Sequence, residues 1–386
     1  MNSPAAGNST SSVAILGAGP IGLACALLLS SRGIASQVLD ARGLDQARQD
    51  RRLLALSRGT LQLLTGLLGP NFAPMAHIIE VHVSSSGQLG ATRLTSRDFG
   101  GVALGATVWY ADLVGALASA ADADPNIRVR RPCRVIDLEQ RAESVVIGLT
   151  DALRDASLIE AAIAINAEGT APGGRPATSD ALLAELDVQG LAAGTAVERF
   201  TREGPLALLP QPAAGGSRKS MIWCVDHEAA QALLALRDAE FVGKIQAMLG
   251  PRIGRVAGVG PRSAFALIQQ QRLRVREHRL VYIGNAAQSL HPVAGQGFNL
   301  GMRDCVCLAD SLAQAANDPL AALSRYEAAR KADRFTISRI TGALPALFAS
   351  RLTPIALIRS VSLVAFDLVA PLRRSLSSVL MFGVRH

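Results

Sequence analysis

Short apolar runs that stop at a glycine or an acidic residue recur along the chain, and this pattern predicts buried strands. The first run, residues 13–16, ends at a Gly-Ala-Gly-Pro-Ile-Gly turn, and a helical pattern of small apolar residues follows over 23–31. A second strand is predicted over 36–39, and it ends at Asp40. A strand, a turn, a helix and a strand within about 30 residues have the length of one βαβ unit.

The rest of the chain alternates between helical and strand-like patterns. Residues 53–68 are predicted to form one helix, and residues 78–83 a strand that enters a hairpin. The Gly-, Pro- and Ala-rich stretch over 169–179 is predicted to be a loop. The other predicted elements are a helix over 112–120, strands over 145–149 and 161–166, second-sheet strands over 197–200, 206–209 and 221–225, a buried strand over 280–283, and a helix from about residue 300.

The composition is that of a globular chain with more than one domain. At about 150 residues per domain, 386 residues suggest two or three. Hydrophobic residues make up 49% and charged residues 18%, which is enough apolar material for a sizeable core. No apolar run reaches about 18 residues without a charge or a proline, so no membrane-spanning helix is predicted. The first twelve residues lack the pattern of a secretory signal, so we expect a cytoplasmic protein with reduced cysteines.

The charge balance is basic, with a formal net charge of +8. Attraction to an anionic membrane surface and scattered charges on solvated faces both account for it. Nucleic acid is not an expected partner, because the basic residues are not clustered and few aromatic residues accompany them. Cys305 and Cys307 have no second pair near them, so no metal site is predicted.

The first glycine-rich turn has the spacing of a dinucleotide-binding motif. Gly17 permits the tight turn out of the strand, Gly19 lets the backbone approach a pyrophosphate, and Gly22 lets the helix pack closely on the strand. The N-terminus of that helix presents free N–H groups to phosphates. Asp40, at the end of the second strand, can accept hydrogen bonds from both ribose hydroxyls of an adenosine.

A second glycine-rich segment over 284–304 favours FAD over NAD. It reads as a strand that ends in Gly-Asn, then a loop, then a helix with its N-terminus near Asn299. Backbone N–H groups at such a terminus stabilise negative charge on a reduced flavin ring. The amide of Asn285 can hydrogen-bond a ribityl hydroxyl or a pyrophosphate oxygen.

These motifs together resemble those of the single-component FAD-dependent aromatic monooxygenases, and among them the ubiquinone-biosynthesis hydroxylases. The segment 50–60 resembles the family's arginine motif, and Arg52 aligns with its FAD-contacting arginine. Segments 81–84 and 198–210 resemble the branch that hydroxylates 2-octaprenyl-6-methoxyphenol. The resemblance implies three groups of FAD-holding residues: Gly17, Gly19, Gly22 and Asp40 for the adenosine diphosphate, Arg52 and Asn285 for the middle, and Gly297, Phe298 and Asn299 for the ring.

The resemblance also implies the fold class. We expect an α/β protein in which a Rossmann-like FAD-binding domain of the para-hydroxybenzoate hydroxylase type carries an inserted, mostly antiparallel β-sheet substrate domain and C-terminal helices. The expected boundaries are 1–75, 100–180 and 270–340 for the FAD-binding domain, 76–99 and 181–269 for the substrate domain, and 341–386 for a C-terminal helical segment.

The implied reaction is oxygen transfer to a phenol. NADH or NADPH reduces the FAD, O₂ adds to the reduced ring, and a flavin hydroperoxide delivers one oxygen atom to the ring of a polyprenylated phenol in ubiquinone biosynthesis. The expected catalytic residues are His291 and Pro292. His291 is the only histidine of the segment 284–304, and it either hydrogen-bonds the substrate or flavin or only shapes the loop. Where the family usually has Asp-Gly this chain has Glu168-Gly169, so its handling of nicotinamide departs from the pattern.

Two further functions and a membrane contact stay open. The chain fits a different FAD enzyme, such as a prenyl reductase or an oxidase, and also a non-catalytic flavin-binding subunit of a biosynthetic complex. The dense apolar segment 354–372 is compatible with an amphipathic surface that touches the bilayer and with a packed helical cap. Peripheral contact with the inner face of the cytoplasmic membrane, direct or through a ubiquinone-biosynthesis complex, is therefore a hypothesis.

Overall fold

The computed structural model describes residues 11–86, 91–151, 155–169, 179–212, 216–268, 270–289, 296–315 and 317–349. Its helices are α1 Pro20–Ser30, α2 Leu44–Ala47, α3 Arg58–Leu68, α4 Tyr110–Ala123, α5 His227–Ala235, α6 Asp238–Leu249, α7 Gln296–Gln314 and α8 Pro319–Ala349. Its strands are β1 Ser11–Leu16, β2 Ser36–Leu39, β3 Leu53–Ser57, β4 Met75–Ile78, β5 Glu80–Ser85, β6 Ala91–Thr95, β7 Gly105–Trp109, β8 Ile127–Arg130, β9 Cys133–Gln140, β10 Val145–Asp151, β11 Ala156–Asn166, β12 Ser179–Gln189, β13 Thr195–Phe200, β14 Pro205–Pro210, β15 Arg218–Asp226, β16 Arg255–Ala266, β17 Gln270–Gln271, β18 Arg276–Glu277, β19 Leu280–Tyr282 and β20 Gln288–Ser289.

The first sheet carries the predicted βαβ unit at its centre. Its strand order is β18-β19-β11-β1-β2-β8, and β9 and β10 extend it as an antiparallel ribbon on β11. Strand β1 lies parallel to both β11 and β2, and its residues Ala14 and Ile15 are fully buried. Helix α1 is apolar nearly throughout because it packs between this sheet and the helices α4 and α7. Pro20 opens α1, where its fixed φ and missing N–H suit a first helical position.

The region predicted as one helix over 53–68 contains a strand and a helix, so that prediction is wrong for its first part. Strand β3 pairs antiparallel with β7, and β7 also pairs with β4 in a three-stranded sheet. Helix α3 begins only at Arg58, after Ser57 caps it by accepting a hydrogen bond from the Thr60 amide at 3.3 Å. A short apolar run fits both periodicities, and here pairing with β7 decides in favour of a strand.

The second sheet is mostly antiparallel, as expected. Its seven strands lie in the order β16-β12-β15-β14-β13-β5-β6, and within it only the β13–β5 pair is parallel. Helices α5 and α6 cover one face, where Trp223 of β15 packs in one cluster with Phe241 and Ile245 of α6. All its strands lie within the segments predicted for the substrate domain, apart from the first two residues of β12. The division into domains remains a prediction.

Two long helices follow the last strands of the first sheet. Helix α7 packs on α1, and α8 packs on α7, which agrees with the expected C-terminal helices. The predicted segment 354–372 lies outside the described residues. In the part of the chain that the structure describes, no helix combines the length and the apolar character needed to cross a bilayer.

Candidate functional site

The turn between β1 and α1 can be built only with glycine at two of its three glycine positions. Gly17 has a φ of +105°, and a Cβ there would lie 2.8 Å from the carbonyl oxygen of Ala167. A Cβ at Gly22 would lie 1.9 Å from the carbonyl oxygen of Gly17. At Gly19 the nearest atom to a Cβ would be the Tyr110 hydroxyl oxygen at 3.4 Å, so the backbone there can be approached closely. This geometry fits the roles predicted for the three glycines.

The carboxylate of Asp40 is held beside that turn by two backbone amides. Its Oδ2 accepts a hydrogen bond from the Ala18 amide at 2.8 Å, and its Oδ1 accepts one from the Arg42 amide at 2.8 Å. These two hydrogen bonds fix the orientation of the Asp40 carboxylate. Asp40 is 9% exposed, so a part of it stays accessible to a ligand. Each carboxylate oxygen has a second lone pair, so a ribose diol can still donate to it.

Glu168 places a second carboxylate near the same turn. It follows β11, the neighbour of β1 on the side away from β2, and its Cα would lie 3.0 Å from a Cβ at Gly17. Desolvation and the carboxylate of Asp40 raise the pKa of Glu168, whereas Arg134 lowers it. Glu168, which stands where the family usually has Asp, thus lies directly against the dinucleotide turn.

A cationic group lies on the α4 side of the turn. Arg52 pairs with Asp50, with Nη2 and Oδ2 2.6 Å apart, and its guanidinium carbon lies 4.9 Å from the centre of the Tyr110 ring. Burial lowers the pKa of Arg52, but Asp50 raises it, and the net effect is a raised pKa. The Tyr110 hydroxyl oxygen lies 3.4 Å from the place of a Cβ at Gly19, and the Arg42 guanidinium lies near Asp40, with Nε and Oδ1 3.7 Å apart. No local pattern predicts Tyr110 or Arg42. The packing of α4 brings Tyr110 to the turn, and Arg42 lies in the loop that follows Asp40.

The second glycine-rich segment meets the first through Ile21 of α1. A Cβ at Gly284 would lie 3.2 Å from Cγ2 of Ile21, and a Cβ at Gly301 would lie 2.8 Å from its Cδ1. The two motifs, remote in sequence, therefore form one continuous surface. Within it, the exposed Asn285 lies close to Gly297, since a Cβ at Gly297 would be 3.7 Å from Asn285 Oδ1.

The side-chain amide of Asn299 forms hydrogen bonds within the protein. Its Oδ1 accepts a hydrogen bond from the Ser57 amide at 2.8 Å, and its Nδ2 donates to the carbonyl oxygen of Ala55 at 3.0 Å. This buried amide joins the N-terminal turn of α7 to strand β3. Any contact of Asn299 with a flavin ring would therefore come from its backbone, as for Gly297. Phe298 is partly buried against the first-sheet core.

The two residues predicted to be catalytic, His291 and Pro292, lie outside the described residues. Gly17, Gly19, Gly22, Asp40 and Arg52 lie together around the first turn, and Asn285, Gly297, Phe298 and Asn299 lie around the second. Within the described ranges no group of His, Cys, Asp and Glu residues is suited to hold a metal ion.

The residues present fit FAD. The first turn offers a cradle that a side chain would fill, a fixed carboxylate for a ribose, and nearby cations for phosphates. The second offers the exposed amide of Asn285 and the N-terminus of α7. This donor set suits a dinucleotide whose far end carries developing negative charge.

Comparisons with known proteins agree with this geometry. Residues 10–335 match the family described as the FAD binding domain. The chain is 30% identical to ubiquinone hydroxylase UbiL of Rhodospirillum rubrum, over 94% of this chain and 87% of that protein. It is 26% identical to 3-demethoxyubiquinol 3-hydroxylase of Escherichia coli, over 95% and 97% of the two chains.

A solved structure shares the fold. The p-nitrophenol 4-monooxygenase PnpA from Pseudomonas putida superposes with a TM-score of 0.76 at 14% identity, covering 98% of this chain and 99% of that one. The expected family, fold class and cofactor are confirmed. The protein is a member of the FAD binding domain family, and FAD is its cofactor.

Proposed function

We propose that the protein is an FAD-dependent monooxygenase that hydroxylates the aromatic ring of a polyprenylated phenol in ubiquinone biosynthesis, with NADH or NADPH and O₂ as co-substrates. The observation that carries the proposal is the extent of the similarity to UbiL. It spans 94% of this chain and so includes the second sheet as well as the FAD-binding elements. Such similarity favours a shared substrate class, and it does not favour a prenyl reductase or a non-catalytic subunit.

Bound FAD supplies the redox chemistry, accepting a hydride from the nicotinamide and activating O₂. The chain's own residues bind and orient it. Asp40 and the Gly17–Gly22 turn would hold the adenosine diphosphate, with Arg52 and Asn285 along the middle. The backbone amides at the start of α7 would face the ring, where they stabilise negative charge.

The face of the second sheet opposite α5 and α6 suits a phenol with an apolar tail, because its half-buried row combines apolar side chains with the carboxylate of Glu198. Register pairs Leu183 with Ile222, Ile222 with Ala207, and Ala207 with Glu198, so these four half-buried side chains form one row across the sheet. The alternate residues, such as Trp223, face the helices instead. We therefore assign only every second residue of the predicted strands 206–209 and 221–225 to the wall of the pocket. A wall of this kind keeps water from the reacting centre.

Three finer assignments belong to this proposal. His291 and Pro292 remain the proposed catalytic residues. The branch that hydroxylates 2-octaprenyl-6-methoxyphenol remains the proposed branch, on the resemblance of segments 81–84 and 198–210. Glu168 in place of the usual Asp is expected to change how the protein is reduced by nicotinamide, since the longer carboxylate lies beside Asp40.

Membrane contact is a separate part of the proposal. The net charge of +8 and the apolar segment 354–372 support peripheral association with the inner face of the cytoplasmic membrane, directly or through a biosynthetic complex. Flotation of the purified protein with anionic liposomes at low salt tests direct contact. Protein that stays at the bottom of the gradient would argue against it.

Complementation tests the main proposal. The chain is expressed in cells that each lack one ring hydroxylase of ubiquinone biosynthesis, and the accumulated quinone precursors are identified. We expect one strain to regain ubiquinone and lose its precursor. Failure in every strain, together with purified holoenzyme that transfers no oxygen to added phenols, would refute hydroxylation. Holoenzyme that is not reduced by NADH or NADPH with substrate present would point to a flavin-binding subunit.

A further inference from the structure

A group of buried charged residues lies beneath the second glycine-rich segment. Arg303 and Asp304 belong to α7, and Arg330, Asp333 and Arg334 belong to α8. Asp304 is fully buried, and Arg330, Asp333 and Arg334 are each less than a tenth exposed. We call these five residues the α7–α8 charge cluster. Burying a charge costs free energy unless the charge has a partner. The partners of these five side chains therefore show which parts of the backbone the cluster fixes.

Asp304 and Arg330 connect the two backbone segments that flank the flavin site. Asp304 Oδ2 accepts a hydrogen bond from the Gly284 amide at 3.0 Å, and its Oδ1 accepts one from Arg330 Nε at 2.7 Å. Arg330 Nη2 in turn reaches the carbonyl oxygen of Leu300 at 3.5 Å, and its Nη1 pairs with Asp333. Gly284 precedes Asn285, and Leu300 follows Asn299, so each contact lies one residue from a proposed FAD-holding position.

Arg334 and Arg272 bind the carbonyl groups on the other side of the same turn. Arg334 Nη2 donates to the carbonyl oxygens of Ala287 at 3.3 Å and of Arg272 at 3.0 Å. Arg272 Nε donates to the carbonyl oxygen of Ala286 at 3.1 Å. The backbone between Gly284 and Ala287 forms only a single 3-10 turn, so charged side chains bond the amide of Gly284 and the carbonyl groups of Ala286 and Ala287.

Burial raises the pKa of Asp304 although Arg330 and the Gly284 amide lower it, so pairing with Arg330 offsets only part of the cost of burying this carboxylate. Burial lowers the pKa of Arg330, but the carboxylates of Asp304 and Asp333 raise it, and the net effect is a pKa above the ordinary value. Three guanidinium groups face two carboxylates, which leaves an excess of positive charge under the turn. Apolar side chains of similar size would stabilise a helix pair as well or better, so stability alone does not account for this arrangement.

We propose that Asp304 and Arg330 are positioning residues for FAD, which hold the turn at Gly284 and the first turn of α7 at a fixed separation. The inference rests on the FAD site described above and deepens it. Helix α8, which is remote in sequence from both glycine motifs, sets the geometry of the site through Arg330.

The test measures FAD affinity in variants of the full chain. Apoprotein is titrated with FAD, and the dissociation constant and the visible flavin spectrum are recorded. We expect Arg330→Met to weaken FAD binding about tenfold or more, because it leaves Asp304 buried without its partner. We expect Arg330→Lys to recover part of the affinity, since it keeps the charge but not the forked geometry. The flavin spectrum of Arg330→Met should also shift.

Arg32→Met is the matched control. Arg32 Nη2 lies 2.6 Å from Oδ1 of Asp310, so this more exposed pair joins α7 to the segment just after α1 and contacts neither glycine-rich segment. We expect Arg32→Met to lower thermal stability slightly and to leave FAD affinity and the flavin spectrum unchanged.

Each outcome decides for or against the inference. Folded Arg330→Met with wild-type FAD affinity overturns it, and so does an equal loss of affinity in Arg330→Met and Arg32→Met. If Arg330→Met does not fold, Arg330→Lys decides: weaker FAD binding with unchanged apoprotein stability supports the inference, and unchanged binding overturns it. A wild-type protein that binds FAD but hydroxylates no phenol refutes the proposed function and leaves this inference standing.

Discussion

The carbonyl oxygen of Gly17 occupies the place where a Cβ at position 22 would lie, so the dinucleotide turn can form only if residue 22 has no side chain. A Cβ at Gly22 would lie 1.9 Å from that oxygen, a distance at which the backbone must move. Movement of this backbone would separate α1 from β1 and displace the N-terminus that we propose to face the phosphates. A Cβ at Gly43, just beyond Asp40, would meet no atom within 4 Å, and the φ of Gly43 is an ordinary −65°.

These two glycines give a paired prediction. We expect Gly22→Ala to abolish retention of FAD and to lower the free energy of unfolding by about 2 kcal/mol or more, because the new methyl group overlaps backbone. Gly43→Ala should retain FAD and change stability by less than about 1 kcal/mol. The flavin-to-protein absorbance ratio and urea unfolding measure both. Equal FAD content in the two variants would contradict the assigned role of Gly22.

Lys219 is a fully buried ammonium group at the start of β15. Its Nζ donates to the carbonyl oxygens of Ala192 at 3.0 Å and Ala193 at 2.7 Å. Burial lowers the pKa of Lys219 from 10.5 to about 8. Between these two pH values the unfolded chain binds more protons at this lysine than the folded chain does. Its contribution to stability therefore increases as the pH rises through that interval.

The expected contribution is at most about 1.4 kcal/mol for each pH unit between about 8 and 10.5. Urea unfolding at several pH values measures it, and Lys219→Met serves as the reference. That variant should fold, because the acceptors of the two shorter hydrogen bonds belong to the exposed residues Ala192 and Ala193 and can bond water, whereas the buried Thr195 carbonyl oxygen lies farther away, at 3.4 Å. The difference between wild type and variant isolates Lys219 from other titrating groups. A difference that does not change with pH would contradict the lowered pKa.

At the scale of elements, Asn299 joins α7 to β3. Its side-chain amide satisfies the Ser57 amide and the Ala55 carbonyl group, which β3 leaves available on this side. The start of α7 is therefore fixed to the three-stranded sheet as well as to α1. These two hydrogen bonds fix the position of the backbone amides of Gly297 and its neighbours relative to β3.

Removal of the joint should act on both stability and cofactor binding. We expect Asn299→Ala to lower the free energy of unfolding by about 1–3 kcal/mol, because two polar backbone groups lose their partner, and to weaken FAD binding. Asn126→Ala is the control, since Asn126 makes an exposed contact with Ser30 at 3.2 Å far from the site. Chemical unfolding and FAD titration measure both variants. Asn299→Ala with control-like values would show that α7 is held without this side chain.

The elements show what sequence patterns can and cannot predict. The glycine spacing from Gly17 to Gly22 predicts the tight turn that the structure shows, because that turn depends on local backbone geometry. The binding roles of these glycines and of Asp40 stay predictions. The run 53–57 was assigned to a helix, since its strand character depends on pairing with β7, which begins about 50 residues later. Asp304 and Arg330 were missed for a similar reason: buried ion pairs between distant helices leave no periodic pattern in the sequence.

At the scale of the whole molecule, the two sheets differ in whether they carry residues proposed to bind the cofactor. The first sheet, with α1 and α7, carries the residues that we propose to hold FAD. The second is stabilised by its own core with α5 and α6, centred on Trp223. A bound cofactor should therefore stabilise the two parts unequally.

Hydrogen exchange with and without FAD measures this difference. At a free FAD concentration of about 100 times its dissociation constant, we expect about 2.7 kcal/mol of added stability. Slower exchange is expected at 13–22, 284–289 and 296–300, and little change within α5 and α6. Protection spread evenly over both sheets would contradict the assignment of the site to the first.

The two glycine-rich motifs meet at Ile21, although Gly17 and Gly297 are about 280 residues apart in the chain. A ribosome that adds about 5 to 20 residues per second needs roughly 14 to 56 s to synthesise that stretch. Throughout this time the nascent β1–α1–β2 unit has emerged without the helix that completes its cofactor site. FAD can therefore secure the fold only after α7 has been synthesised, and Arg330 of α8 follows later still.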